Sequence, residues 1–325
     1  MTEQKLPNGS SVRLFDPLPT GFDYLSASEE VLRHHGIPPR PGDNAPARLR
    51  EQWQQIFSRR PRFIAPAFRP FKSPQMAKRK LPERFGPATD LWAGSVVQPQ
   101  TPFSGGLHFP QTNLIQSVFS QCTVANGYFN MPNPQNYQVS SWIGIDGFAP
   151  QSLDLLQVGY IVAPSVNGGT FAWWEWWPDT PWEIYNLQVS PGDVLFLYIN
   201  RTIEPGIPVI CIINRTNNEG ASFEPTGSQG QSVIGSSAEW MIERAGNSFG
   251  QTNVVNFADI YYDTAYAESI TTTFDTLKGG STSQDVFLDI SQGNLLTLVG
   301  ATNNILAVPT ILAPEVMRTT WVASD

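Results

Sequence analysis

From about Asp90 onward the chain reads as short apolar or β-branched runs: SSWIGIDG, LLQVGYIV, FAWWEWWP, DVLFLYI, PVICIINR, VVNFADIYY, DVFLDIS and LLTLVGA. Turn signals (PGD, NNEG, TGSQG, KGG, SQGN) separate them. Short strands recurring every roughly 8–20 residues, with almost no helical windows, predict an antiparallel β-sandwich or barrel. A parallel α/β sheet needs crossover helices, and none is visible. The first 90 residues follow another pattern. Ser28 is placed to cap a short helix that carries Glu29 and Glu30 in its first turn and stops at Gly36 and Pro38. Leu49, Trp53, Ile56 and Phe57 then fall on one helical face. From Arg59 to Arg84 the chain is basic and Pro-rich, which predicts an extended linker or a strap over another surface. The expected organisation is an N-terminal extension over 1–90 and a β-sandwich over 91–325.

Strand alternation sorts side chains onto faces. In AWWEWWP, Trp173, Glu175 and Trp177 point one way, and Ala172, Trp174 and Trp176 the other. Both sets are apolar, so one fills the core and the other lines a groove. Trp142, Gly144 and Asp146 share a face, as do Glu239, Met241 and Glu243, opposite Trp240 and Ile242. Gln157 interrupts the apolar run Leu155–Val158. An unpaired buried amide costs about 1–3 kcal/mol, so it must be hydrogen-bonded or face a wet cleft. Each polar residue also has a plain reading: Glu175 as a solvated strand residue, Gln157 as a satisfied core amide, Glu239 as surface.

Charge divides the chain at the same boundary. Residues 1–90 carry 15 Lys and Arg against 9 Asp and Glu, and residues 91–325 carry 5 against 19, within an overall net of −8. A basic head before an acidic body fits either a tail for nucleic acid or membrane, or a segment that docks on the body itself. The acidity of the body disfavours nucleic acid. No apolar window is long enough to span a membrane, and the N-terminus shows no apolar leader. Cys122 and Cys211 sit in apolar, strand-like contexts and read as buried thiols; no CxxC pair points to zinc. No cofactor is expected. The three histidines, His34, His35 and His108, all precede residue 109. Chemistry in the remainder must therefore run on carboxylates, amides, hydroxyls and phenols, which excludes His-dependent triads and HExxH metal sites.

In order, WIGIDG, LLQVG, AWWEWWPD and SAEWMIE resemble the characteristic strings WVGIDG, LQTG, AWYEWYP and AEWIVE of the glutamic peptidases of the eqolisin type, peptidase family G1. The resemblance covers roughly residues 95–325. It implies an all-β, concanavalin A-like antiparallel sandwich of two seven-stranded sheets, here preceded by the helical and Pro-rich extension. Carried over by motif, it implies Gln157 and Glu239 as the catalytic pair. It also implies Trp142, Asp146, Trp173, Glu175 and Trp177 as cleft-lining, substrate-binding residues. Glu239 would activate a water as general base, and the Gln157 amide would stabilise the oxyanion.

The resemblance thus implies an acid-acting endopeptidase on polypeptide substrates, with its own N-terminal segment as an intramolecular inhibitor and with neither nucleic acid nor membrane as a partner. Family membership would imply secretion. Two departures stand out: Ile161 and Phe171 occupy places that are often acidic in the family, and Trp177 replaces a tyrosine. The first would weaken activity or move it toward neutral pH. Competing readings are a glycoside hydrolase using Glu175 and Glu239, and a non-catalytic, lectin-like module whose tryptophans stack on sugars.

Overall fold

The computed structural model describes residues 1–70, 87–99, 111–128, 137–148, 152, 154–163, 169–201, 207–244, 246–247, 250–251, 253–274 and 281–324. The extension contributes β1 (Thr2–Lys5), β2 (Ser11–Leu14), α1 (Glu29–His34), α2 (Ala47–Ser58), β3 (Arg62–Ile64) and β4 (Phe68–Pro70). Next come β5 (Ala88–Thr89), β6 (Trp92–Val97), β7 (Gln111–Thr123), β8 (Tyr137–Ile145), β9 (Leu155–Ala163) and β10 (Gly169–Trp177). The chain continues through β11 (Trp182–Ile184), β12 (Val194–Asn200), β13 (Val209–Asn214), β14 (Glu219–Thr226) and β15 (Ala238–Glu243). Short β16 (Gly246–Asn247), β17 (Gly250–Gln251) and β18 (Asn253–Val254) lead into β19 (Asp259–Phe274). The closing strands are β20 (Ser281–Asp289), β21 (Asn294–Val299), β22 (Ile305–Ala313) and β23 (Val316–Trp321).

These strands form a β-sandwich. One sheet runs β4-β11-β10-β9-β8-β15-β6-β21, antiparallel throughout. The other runs β2-β14-β13-β12-β7-β19, also antiparallel. Beyond it β19 forks, pairing with β23 over its first four residues, Asp259 to Tyr262, and with β20 from Tyr266 onward. Strand β21 pairs with both β6 and β22, and so stitches the two sheets together. The core lies between them: Ile143, Val158, Trp174, Trp176 and Trp240 from the first sheet meet Val118, Leu197, Ile212, Phe223 and Tyr262 from the second. Trp174 and Trp176 thus pack inward, as alternation requires.

The extension is built into this architecture. Ser28 caps α1, its hydroxyl accepting from the Val31 N–H at 3.3 Å. Leu49, Trp53, Ile56 and Phe57 form the buried face of α2. That face rests on the outer side of the second sheet, against Phe119, Phe196, Tyr198, Ile213 and Tyr266. The strap then adds β3 in parallel to β14 and β4 antiparallel to β11; residues 71–86 of the predicted strap lie outside the described residues. The β1–β2 hairpin, which joins β14 through β2, was not expected. Cys122 and Cys211 are both free and buried, Cys122 in the core and Cys211 beneath the extension.

Basic residues of the extension meet acids of the body. Arg13 pairs with Glu224, Arg48 with Asp263 and Glu315, Arg62 with Glu219, and Arg69 with Glu183. Exposed ion pairs are worth little, about 0–1 kcal/mol each. Burying a large apolar side chain contributes about 1.5–3 kcal/mol. The apolar face of α2 therefore holds the extension, and the arginines set where it lies. Phe57→Ala should cost about 3–5 kcal/mol by cavity formation, read as a lower urea midpoint for the full-length chain.

Candidate active site

Register decides what meets on the outer face of the first sheet. Glu175 pairs with Gln157, Gln157 with Gly144, and Gly144 with Glu239. One row across four strands therefore reads acid, amide, glycine, acid. Strands lie about 4.8 Å apart, so the Gln157 and Glu239 backbones stand about 10 Å apart with only a glycine between them. A Cβ on Gly144 would lie 3.2 Å from Glu239 Oε2, 2.9 Å from the Trp142 ring and 2.8 Å from Leu155. The Glu239 carboxylate thus leans over the glycine toward Gln157, and no other residue leaves that space open.

The next row places Trp173, Gly159, Trp142 and Met241 side by side. Here Gly159 lets the Trp142 backbone approach, because any Cβ would strike the Ser141 carbonyl. Trp142, Trp173, Phe171, Ile161 and Met241 form one buried apolar cluster, with Trp177 packed at its edge. Ile161 and Phe171 are direct cross-strand partners, so the two positions that are often acidic form an apolar contact here.

The polar groups of the face differ sharply in their partners. Gln157, Glu175 and Glu239 are all fully buried, which overturns the plain readings of Glu175 as solvated and Glu239 as surface. Gln157 Nε2 donates to Glu175 Oε2. A carboxylate only accepts, so the NH2 end of the amide must face Glu175. Gln157 Oε1 and both oxygens of Glu239 have no hydrogen-bond partner of standard geometry among the described residues. Burial pushes the Glu239 carboxyl well above the usual carboxylate range, and the negative Asp146 adds to the rise. Ser237 offsets part of it, although its hydroxyl makes no hydrogen bond of standard geometry.

Asp146 sits beneath this site. It has a left-handed backbone (φ 70°) and is fully buried. Its Oδ2 accepts from the Ile234 and Gly235 N–H groups at 2.6 and 3.2 Å. Its Oδ1 accepts from the Ser236 N–H at 2.6 Å and the Ser236 hydroxyl at 2.7 Å. These bonds hold the segment that feeds directly into β15 and Glu239. Burial raises the Asp146 pKa, and its hydrogen bonds offset part of that rise.

Two contributors were not singled out from sequence. Glu243 takes the Trp92 indole N–H on Oε1 at 3.1 Å and the Trp142 indole N–H on Oε2 at 2.8 Å, fixing both rings. Gly144 lay on the right face by alternation, but its value as an opening appears only once its two neighbours are known. No cluster of three or more metal-ligating side chains occurs among the described residues.

The sequence pattern of the peptidase A4 family matches residues 101–308. Aspergillopepsin-2 of Aspergillus niger is 26% identical over 225 residues, spanning 67% of this chain and 76% of its own. Among solved structures, scytalido-glutamic peptidase with a transition-state analogue inhibitor aligns with a TM-score of 0.52 at 16% identity. That alignment covers 72% of this chain and 98% of the other. SCP-B, a member of the eqolisin family in complex with a tripeptide, aligns with a TM-score of 0.50 at 15% identity over the same shares. These structural likenesses bear on the fold.

A buried carboxyl with a raised pKa keeps its proton in the folded state after the unfolded chain has lost it. Stability then falls as pH rises from the ordinary carboxylate range toward the folded pKa, by about 1.4 kcal/mol per pH unit per proton. Glu239→Gln should flatten that decline, so thermal melts from pH 4 to 7 should converge in acid and favour the variant at pH 7.

Proposed function

Because the chain belongs to the peptidase A4 family, the glutamic peptidases of the eqolisin type, we propose that Glu239 and Gln157 are the catalytic pair with which it cuts polypeptides. As a member it is a hydrolase of peptide bonds, and its substrates are polypeptides. The observation that carries the residue assignment is the row itself: a carboxylate with no hydrogen bond of standard geometry among the described residues and a half-partnered amide, facing each other across Gly144.

The chemistry uses the open valences. A water above Gly144 gives a proton to Glu239 while its oxygen attacks the scissile carbonyl carbon. Gln157 Oε1 accepts from that water, and the Nε2 hydrogen not given to Glu175 donates to the developing oxyanion. A preorganised donor of that kind is worth about 3 kcal/mol. Glu239 then returns its proton to the amide nitrogen, the C–N bond breaks, and a carboxylic acid and an amine leave. Glu175 orients the amide through its accepted hydrogen bond. Trp177 at the cluster's edge offers flat apolar area to substrate side chains, the buried Trp142 and Trp173 form the wall behind it, and Asp146 sets the approach of β15.

The glycosidase alternative fits less well. Glu175 stands three strand spacings from Glu239, about 14 Å along the sheet, and Gln157 intervenes and occupies its carboxylate.

An exposed carboxylate base would serve well in acid. Burial raises Glu239, and Ile161 and Phe171 bring no charge to the cleft. The enzyme in this reading is acid-acting with an optimum displaced toward neutral pH. Cleavage of a denatured protein from pH 2 to 7 tests the pair: Glu239→Gln should lose about 10³-fold or more and Gln157→Ala about 10²-fold. Variants that cut as well as wild type would refute the assignment.

In the same reading the first 90 residues act as a prosegment-like intramolecular inhibitor. Support comes from Arg69, whose guanidinium forms a two-pronged pair with the buried Glu183 at 2.6 and 2.7 Å. Glu183 is the cross-strand partner of Trp173, so the strap reaches the edge of the proposed cleft. This pair ties the strap to β11 separately from the apolar face of α2, which holds the helices. In the full-length chain, Arg69→Gln should raise peptidase activity at pH 7 severalfold. Equal activity at pH 7 would end this part of the proposal.

A further inference from the structure

The outer side of the second sheet carries a pocket that peptide hydrolysis does not use. It lies where the extension meets the body and encloses about 280 Å³. Trp53 of α2 and Phe119 and Tyr198 of the sheet supply aromatic walls. Gln52, Glu268 and Asp285 supply polar groups. Pockets of a few hundred Å³ with aromatic walls and a few convergent polar groups are where small molecules bind.

The polar groups are short of donors. Tyr198 is buried; Asn200 lies close enough to act on its hydroxyl, but no hydrogen bond of standard geometry forms there among the described residues. Gln52 is buried too, and its Oε1 is likewise unpartnered. Glu268 accepts from the Ser117 hydroxyl at 2.8 Å, but no described cation pairs with it or with Asp285. Burial raises the Glu268 pKa, Ser117 offsets part of that, and the charge of Asp285 raises it further. Burial likewise raises the Tyr198 phenol, the charges of Glu268 and Glu29 add to the rise, and the side chain of Asn200 offsets part of it.

Arg40, the cation at the rim, is already committed. Its Nη2 donates to the Leu25 carbonyl at 2.7 Å and the Ala27 carbonyl at 3.2 Å. Its guanidinium lies 5.3 Å over the Trp53 ring. Glu29 in turn accepts from the Arg40 backbone N–H at 3.2 Å.

We propose that this pocket binds a small organic ammonium ion, a primary amine carried on an aromatic or apolar body. The ammonium would lie between Glu268 and Asp285, donating to them and to Gln52 Oε1, with the Tyr198 oxygen as a further acceptor. The body would lie against Trp53 and Phe119, where aromatic faces also favour a nearby cation. Two carboxylates, an amide oxygen and a phenol oxygen match three N–H donors, whereas an anion of the same shape would meet two like charges. Since Gln52 and Trp53 come from the extension and the other groups from the body, an occupant bridges the two and strengthens their docking.

The test uses the full-length protein at pH 7 with three probes of one shape: phenethylamine, 3-phenylpropionate and 2-phenylethanol. Only the amine should raise the thermal midpoint saturably, by about 3 °C. By titration calorimetry Glu268→Gln should weaken it at least tenfold. Asp285→Asn, at an exposed position that does not threaten folding, should weaken it at least threefold. Equal responses to the three probes, no response to any of them, or unchanged amine affinity in the Asp285→Asn variant would overturn the proposal.

Discussion

Everything at the site depends on the register of β8 between β9 and β15. A slip of one residue would send every side chain of β8 to the opposite face. Gly144 would then leave the gap between Gln157 and Glu239, and Ile143 or Ile145 would fill it. Several bonds oppose that slip. Tyr262, from the other sheet, reaches across the core and takes the Trp142 N–H at 3.1 Å, while its hydroxyl bonds the Ser141 hydroxyl at 2.7 Å and the Met241 carbonyl at 2.6 Å. One phenol thus fixes β8 and β15 relative to each other. Asp146 does the same from the end of β8 by gripping the Ile234–Ser236 segment.

With register secured, the cost of the site becomes clear. A buried carboxyl without partners is unfavourable, and Glu239 has none of standard geometry among the described residues. The surrounding structure offsets this with packing: Trp142, Trp173, Met241 and Leu155 crowd the same face, and the inter-sheet core lies directly behind. Stability is drawn from the apolar rows so that one polar row can be left incomplete. That division explains why four tryptophans flank Glu175 in sequence. Trp174 and Trp176 fasten the strand to the core, and Trp173 and Trp177 shape the surface from which Glu175 reaches Gln157.

The sandwich and the facing of its polar residues were legible in sequence for a physical reason, whereas the choice of Gln157 and Glu239 as a pair came from the family resemblance. Strand alternation is a hard geometric rule, so the facing of Trp142, Gln157, Glu175 and Glu239 could be read from spacing alone. Which strands lie side by side is not local information. Nothing in LLQVG or SAEWMIE says that Gln157 and Glu239 flank the same glycine; the pairing of β8 with both β9 and β15 brings that about. The β1–β2 hairpin went unread because Thr2–Lys5 is polar throughout and shows no alternation, although Asn8–Gly9 is a turn signal. Charge asymmetry pointed to docking of the extension but exaggerated the share of charge. The face of α2, legible as Leu49, Trp53, Ile56 and Phe57, supplies most of the attachment.

The two acids of AEWMIE show how little of a carboxylate's role resides in the residue itself. Glu239 and Glu243 are four residues apart on one strand and share a face, and both are buried. Glu243 stands directly opposite Trp92 and diagonal to Trp142, and both indole N–H groups reach its oxygens, which are taken up in holding two rings. Glu239 faces a row in which one neighbour is Val96 and the other Gly144, neither of which offers a side-chain donor. A hydrogen-bonded carboxylate is a structural clamp, because a proton it already accepts cannot be replaced by one from substrate water without breaking that clamp. A carboxylate flanked by a valine and a glycine, with only the Ser237 hydroxyl close enough to act on it, keeps most of its accepting capacity for whatever enters. The cross-strand neighbours therefore separate the two acids, leaving the first less engaged by the fold and making the second a support for two indole rings.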